Sequence, residues 1–446
     1  KKEARENRVP RICGRAKKES KRRTAIRAMH LQFFYTFRSQ HRPSSGCTSD
    51  RWPAFRWLCA IHESFDMPAP LLLKRTRIKQ PMMVMFIFLI VLLVSTLLYL
   101  RQDKFGKIPA GARLERMKQS PNFKNGKFQN LSKTPTLTEG VTFFDVIYDN
   151  YFKHKPRQYP AESIPSVQTN LRGLARDQDV LVWFGHSSYF LQLDGKRILV
   201  DPVFSGNASP VPRTVKAFKG TDVYRVADLP DIDYLLITHD HYDHLDYQTL
   251  IGLKDKTAKV ICGLGVGAHV EWWGYHSDQI IELDWNEQIA LDSSFTLFVE
   301  PTRHFSGRGV SRNNTLWVSY VLQTARMKIY IGGDSGYDAH YAAIGTKNGP
   351  IDLAILDNGQ YNKAWKLIHN HPEDVLKAAQ NLQAKRVFPV HSSKFALSTH
   401  DWDEPLTKIT ELNKAYQIPL VTPRIGEVVN LNDSTQSFTA WWVGLN

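Results

Sequence analysis

Thr238–His239–Asp240–His241–Tyr242–Asp243–His244 closes an apolar run that starts at Asp233. Imidazoles and carboxylates crowd together directly after a strand-like segment. Burying them so densely is costly unless a cation offsets the charge and the desolvation. Neutral imidazole and carboxylate are ligands that Zn²⁺ accepts at about 2.0–2.2 Å. The His-x-His alternation sends two rings one way, while Asp243 and His244 can turn towards a second ion beside the first. A histidine-rich surface loop is the bland alternative, and HxHxDH after an apolar strand outweighs it.

Three later positions repeat the pattern. His304 follows a strand ending near Glu300, Asp334 follows Lys328–Ile331, and His391 follows Arg386–Val390. Each stands where a strand stops and a loop begins, where scaffolds present functional groups. Further strand-length apolar runs are Val180–Phe184, Tyr189–Leu193, Arg197–Val200, Tyr234–Thr238, Lys259–Cys262, Phe295–Val299, Leu316–Leu322 and Leu353–Leu356. They are often β-branched and bounded by Gly, Asp, Asn or Pro. Residues 372–383 open with Pro, Glu and Asp as a helix should, and 405–416 reads as another helix. Strands with interspersed helices predict an α/β protein with a sheet-on-sheet core covered by helices.

With these residues in place the chain resembles the metallo-β-lactamase superfamily. Within it, the chain is similar to the branch of N-acyl-phosphatidylethanolamine-hydrolysing phospholipase D and its bacterial relatives. The resemblance runs from about residue 105 to the C-terminus. Its branch marks are Gly185–His186–Ser187–Ser188, Asp201–Pro202–Val203–Phe204–Ser205, Leu229–Pro230–Asp231–Ile232–Asp233, His241–Asp246 and Gly333–Asp334–Ser335–Gly336–Tyr337. The resemblance implies a four-layer αββα fold with two Zn²⁺ per chain, Mn²⁺ or Fe²⁺ being open alternatives. It implies that His239, His241 and His304 bind one metal, that Asp243, His244 and His391 bind the other, and that Asp334 bridges both. The reaction expected is attack on a phosphodiester by a hydroxide bridging the two ions. Asp243 is expected to accept a hydrogen bond from that hydroxide. A lactone, ester or β-lactam hydrolase on the same ions is the alternative activity, and a metal-stabilised binder without turnover is a third reading. Substrate does not follow from fold.

Other residues carry two readings each. His369 matches a substrate-side position of the phospholipase relative, and equally suits a helix entry; His371 reads as a helix-start residue only. Asp201 and Asp246 either brace a ligand imidazole or cap a turn, the bracing reading being slightly favoured for Asp201. His186 reads as structural, Cys262 as a core thiol, and Trp272, Trp273, Trp441 and Trp442 as packing rather than an acyl groove.

Charge is segregated along the 446 residues. Residues 1–80 hold 20 Lys/Arg against 6 Asp/Glu, leaving 38 against 37 in the rest, so the net charge of +15 is almost all N-terminal. The near-neutral remainder argues against a nucleic-acid partner. Cys13, Cys47, Cys59 and Cys262 form neither a CxxC pattern nor a disulfide framework for the catalytic region. Residues 1–80 read as an unfolded or non-native extension, with Met67, Met82 and Met83 as candidate starts, or else as a basic arm for anionic lipid. Met82–Leu100 is apolar without a break and spans roughly 28 Å, which predicts a single transmembrane anchor. The basic flank after it places the rest of the chain in the cytoplasm by the positive-inside rule, if the chain starts at Met82. Residues 101–178 read as a connector packing on a catalytic domain at 179–446. The expected partners are a membrane and a phospholipid or similar amphiphile; a homodimer is left open.

Overall fold

The computed structural model describes residues 80–153 and 155–445, so the basic extension lies, but for its last residue, outside them. Helix α1 (Gln80–Leu100) comes first, followed by α2 (Gly111–Gln119), a hairpin of β1 (Phe123–Lys124) and β2 (Lys127–Phe128), and α3 (Phe143–Tyr151). One seven-stranded sheet contains β3 (Val180–Trp183), β4 (Tyr189–Leu193), β5 (Lys196–Val200), β6 (Ile232–Ile237), β7 (Thr257–Gly263) and β8 (Ile280–Leu283). Its seventh strand, β15 (Val428–Asn430), pairs with β3. The six-stranded sheet runs in the order β14-β13-β12-β11-β10-β9. These are β9 (Gln288–Ala290), β10 (Thr296–Glu300), β11 (Ser319–Gln323), β12 (Lys328–Ile331), β13 (Leu353–Asp357) and β14 (Val387–Val390). The remaining helices are α4 (Tyr247–Leu253), α5 (Gly267–Trp272), α6 (His340–Asn348), α7 (Pro372–Asn381) and α8 (Glu404–Tyr416).

Period-2 alternation within the strands sets the layers. Leu181, Trp183, Leu191, Ile198 and Ile261 of the first sheet meet Leu297, Val299, Leu322, Ile329 and Ile355 of the second in one core between the sheets. Their neighbours Val182, Phe190, Leu199 and Val260 face the other way, against Leu250 and Leu253 of α4 and Val270 of α5. On the second sheet Val321, Tyr330, Ala354 and Leu356 pack under α6, α7 and α8 through Ile344, Val375, Leu376 and Ile409. Both faces of each sheet are therefore covered, which is the αββα order of the metallo-β-lactamase fold. It also explains why the strands are continuous apolar runs rather than alternating ones.

Strand direction places the site. β10 and β12 both run antiparallel to β11, and β13 and β14 run parallel to β12, so the carboxyl ends of all four lie at one edge. His304, Asp334 and His391 follow three of those ends; the HxHxDH loop follows β6 in the other sheet. The run Leu316–Leu322 differs from its reading as one strand, since ladder pairing starts only at Ser319. Leu316 and Val318 instead donate to Leu264 and Thr238 of the opposite layer, stitching the sheets together beside the HxHxDH loop.

Residues 81–98 of α1 are exposed throughout, and only Tyr99 and Leu100 are half-buried. By length and composition this helix can cross a membrane. Residues after α1 contact the two-sheet body. Arg113 pairs with Glu271 and Glu282, and Arg116 with Glu287. The Asn130 amide donates to the His304 carbonyl at 2.7 Å and accepts from its N–H at 3.2 Å. Leu322 is fully buried between the sheets. Leu322→Ala is expected to cost about 3 kcal/mol of stability, read as a lowered denaturant midpoint with an unchanged slope.

Candidate metal centre

Seven side chains converge at this edge. His239 Nε2 lies 2.9 Å from His241 Nδ1, which lies 3.2 Å from His304 Nε2. Asp334 Oδ2 is 3.7 Å from both His239 Nε2 and His304 Nε2. On its other side Asp334 Oδ1 is 3.2 Å from His244 Nε2 and 3.1 Å from His391 Nδ1, and Asp243 Oδ2 is 3.5 Å from His244 Nε2. Asp334 thus stands between two donor groups, one made of His239, His241 and His304, the other of Asp243, His244 and His391. The ligand atoms of His239, His241 and His304 all lie within 4.8 Å of one another, as do those of Asp243, His244, His391 and a further residue, His186.

The donor chemistry fits cations. His304 Nδ1–H donates to the Ile368 carbonyl at 2.9 Å, which leaves Nε2 as a bare lone pair facing the cluster. Asp334 Oδ1 and His244 Nε2 are buried without hydrogen-bond partners, the kind of orphan that a bound ion satisfies. Burial, reinforced by the neighbouring imidazoles, holds His239, His304 and His391 well below the usual imidazole range. Burial likewise brings His241 down to about 4. Neutral rings of this kind are ready to ligate. Burial raises Asp334 to about 6, a carboxylate short of positive charge.

Residues behind the cluster hold it in place. Asp201 Oδ2 accepts from His244 Nδ1 at 2.8 Å and from the Thr238 hydroxyl at 2.6 Å, and its Oδ1 accepts from Thr238 N–H. Of its two readings, the structure supports bracing. Asp246 takes the other: it caps α4 and accepts from Ser205 N–H and the Thr249 hydroxyl. Asp240 points away from the cluster, to Gly307 N–H, the Thr315 hydroxyl and His269. Reading His186 as a structural residue understates it. Its Nε2 lies 2.9 Å from Asp243 Oδ2 and its ring centroid 4.1 Å from that of His391. Its backbone accepts from His391 N–H and donates to Ser392. His186, Asp201 and His391 have φ of 54°, 40° and 67°, a left-handed backbone that non-glycine residues adopt at a cost of order 1–3 kcal/mol.

A cavity of about 530 Å³ opens over the cluster. His241, Asp243, His304, Asp334, His369 and His391 are at its polar end, and Leu137, Phe143, Val146, Trp365, Ile368 and Leu397 supply apolar wall. His369 is therefore cavity-lining as well as close to the start of α7; its Nδ1 is 3.0 Å from the buried Asp357 Oδ2 and 3.9 Å from Asp334 Oδ2. His371 is the residue before α7 and is not among the lining residues. Trp273, Trp441 and Trp442 are buried in packing, and Cys262 is a buried free thiol. Trp272 is half exposed at the surface, under Lys107. The 101–178 segment supplies Thr136, Leu137, Phe143 and Val146 to the wall, a contribution invisible in sequence because no motif marks a wall residue.

Several known proteins are similar to this chain. The family profile described as "Beta-lactamase superfamily domain" matches residues 196–392. An uncharacterized protein of Mycobacterium bovis is 35% identical over 329 residues, 73% of this chain and 88% of that protein. An N-acyl-phosphatidylethanolamine-hydrolyzing phospholipase D of Caenorhabditis elegans is 28% identical over 346 residues, 70% of this chain and 93% of that protein. Among solved structures, the metallo hydrolase Igni18 of Ignicoccus hospitalis aligns with a TM-score of 0.42 at 21% identity, over 56% of this chain and 97% of that one. The chain belongs to the β-lactamase superfamily. It is a metal-dependent hydrolase of the metallo-β-lactamase type.

Asp201→Ala removes the acceptor that orients His244. It is expected to weaken metal retention about 10–100-fold in chelator competition, with the far-ultraviolet dichroism of the wild type. Unchanged retention would strip Asp201 of that role.

Proposed function

We propose that the chain is a dinuclear zinc phosphodiesterase of phospholipase D type, acting on N-acyl-phosphatidylethanolamine-like lipids. The observation that carries this reading is the cavity itself: five of the seven clustered donors form its floor, under a wall of apolar side chains. That pairing suits a substrate with an anionic reacting centre and an apolar body. The Caenorhabditis elegans relative, named for hydrolysis of such a lipid, supports the same substrate class.

In this reading His239, His241 and His304 hold one ion, Asp243, His244 and His391 the other, and Asp334 both. Zn²⁺ suits this nitrogen and oxygen donor set. Two such ions would supply Lewis acidity and a hydroxide nucleophile at neutral pH. Asp243 lies at the cavity floor, where it can accept a hydrogen bond from the attacking water while His186 holds its other side. His369, its ring fixed through Nδ1 by Asp357, offers Nε2 to a phosphoryl oxygen or the leaving group. The apolar wall excludes water from the acyl portion. Helix α1 would anchor the enzyme, as a single span, at the surface where its substrate resides.

The test is a parallel assay of the full chain on bis(p-nitrophenyl) phosphate, an N-acyl-phosphatidylethanolamine and a lactone. Both phosphodiesters are expected to turn over in a chelator-sensitive way, and His241→Ala to abolish turnover. His369→Ala is expected to lower kcat by about 100-fold at unchanged metal content. Lactone hydrolysis without phosphodiester hydrolysis would replace this reading with a carbonyl hydrolase.

A further inference from the structure

Helix α3 shows its aromatic side to solvent. Its N-terminus is set by a capping box in which Thr142 and Asp145 bond reciprocally. From there Phe144, Tyr148 and Phe152 follow at i, i+4 and i+8, which places them on one face. They are 80%, 62% and 72% exposed, and the rings of Tyr148 and Phe152 stack at 6.1 Å. Desolvating none of three large rings is wasteful for a segment that water alone surrounds. On the same helix Phe143 and Val146 line the catalytic cavity. The aromatic stripe therefore borders the cavity mouth.

The base of α1 reaches the same mouth. The Tyr99 hydroxyl donates to the Pro210 carbonyl at 2.8 Å, two residues from the cavity-lining Ala208. The Tyr99 ring packs on Phe105, and Phe105 packs on Tyr242, another cavity residue. Ala208 N–H also donates to the carbonyl of Val215, which lies between Arg213 and Lys216 in the chain. Arg101, Arg213 and Lys216 are exposed, and none of them forms an ion pair among the described residues. An exposed apolar helix, a loop with exposed Arg213 and Lys216, and an aromatic stripe thus each connect to residues lining one cavity. Aromatic rings favour the headgroup level of a bilayer, and Lys and Arg at a surface favour anionic lipid.

We infer that the Phe144–Tyr148–Phe152 face docks on a lipid surface and seats the mouth of the cavity against it. A lipid could then pass from the leaflet into the cavity without crossing water. The inference goes beyond the lipid-hydrolase reading and rests on it only for what enters the cavity; the docking itself stands on the exposed face, the 213–216 loop and α1.

The experiment uses the full chain with Cys13, Cys47 and Cys59 changed to serine and a nitroxide on Tyr148→Cys. Cys262 is fully buried and takes no label. In vesicles of phosphatidylcholine and phosphatidylglycerol, the spin label at 148 is expected to collide with membrane-dissolved oxygen more than with an aqueous nickel chelate. A label at the exposed Glu411 of α8 is expected to show the reverse. The triple change Phe144→Ser, Tyr148→Ser and Phe152→Ser is expected to lower turnover of a vesicle-borne phosphodiester about tenfold and to leave bis(p-nitrophenyl) phosphate turnover unchanged. A label at 148 as water-accessible as that at 411 would overturn the inference. So would strong dipolar coupling between labels on two chains, which would mean that a second copy covers the face. If no phosphodiester is hydrolysed at all, the functional reading fails, while the label measurement still decides the docking.

Discussion

Five imidazoles and two carboxylates share one buried volume, with ring lone pairs and carboxylate oxygens aimed at one another. In the absence of positive charge such an arrangement is unfavourable: the orphaned Asp334 Oδ1 and His244 Nε2 would each cost a full desolvation penalty. Divalent cations reverse the sign of that interaction. Much of the surrounding structure makes sense as the scaffold that holds these donors together, because a site preorganised to ligate is also preorganised to repel itself.

The scaffold does this with strand ends and backbone conformation. Four strands of one sheet finish at the same edge, and the loop after β6 arrives from the other sheet, with Leu316 and Val318 tying the layers at that point. Left-handed backbone at His186, Asp201 and His391 aims side chains that an ordinary turn would direct elsewhere. The well-packed core between the sheets offsets the cost of that strain. Asp201, through His244 and Thr238, carries the rigidity of the core to the clustered donors.

Legibility in the sequence followed locality. The HxHxDH loop packs four of the clustered donors into six positions, so it declares itself, and His304, Asp334 and His391 each follow a recognisable apolar run. Strands buried on both faces, such as Tyr189–Leu193 and Lys328–Ile331, were readable to the residue because every position is apolar or nearly so. β8 escaped, being short and mostly half-buried, and β9, being short and mostly exposed; β15 is a three-residue edge strand. His186 could not be distinguished from a structural histidine, because its partner Asp243 is 57 residues away. Asp246 looked like Asp201 in sequence, yet only Asp201 faces an imidazole. The aromatic stripe of α3 and the wall residues beside it carry no motif; their meaning comes from the cavity they adjoin.

The most direct test of the account is anomalous diffraction from crystals of metal-replete protein, collected at the zinc edge. Two peaks are expected, about 3.5–4 Å apart, one within ligand distance of His239, His241 and His304, the other of Asp243, His244 and His391, with Asp334 reaching both. A single peak, or a folded and undepleted protein with no metal at this edge of the sheets, would contradict a dinuclear centre.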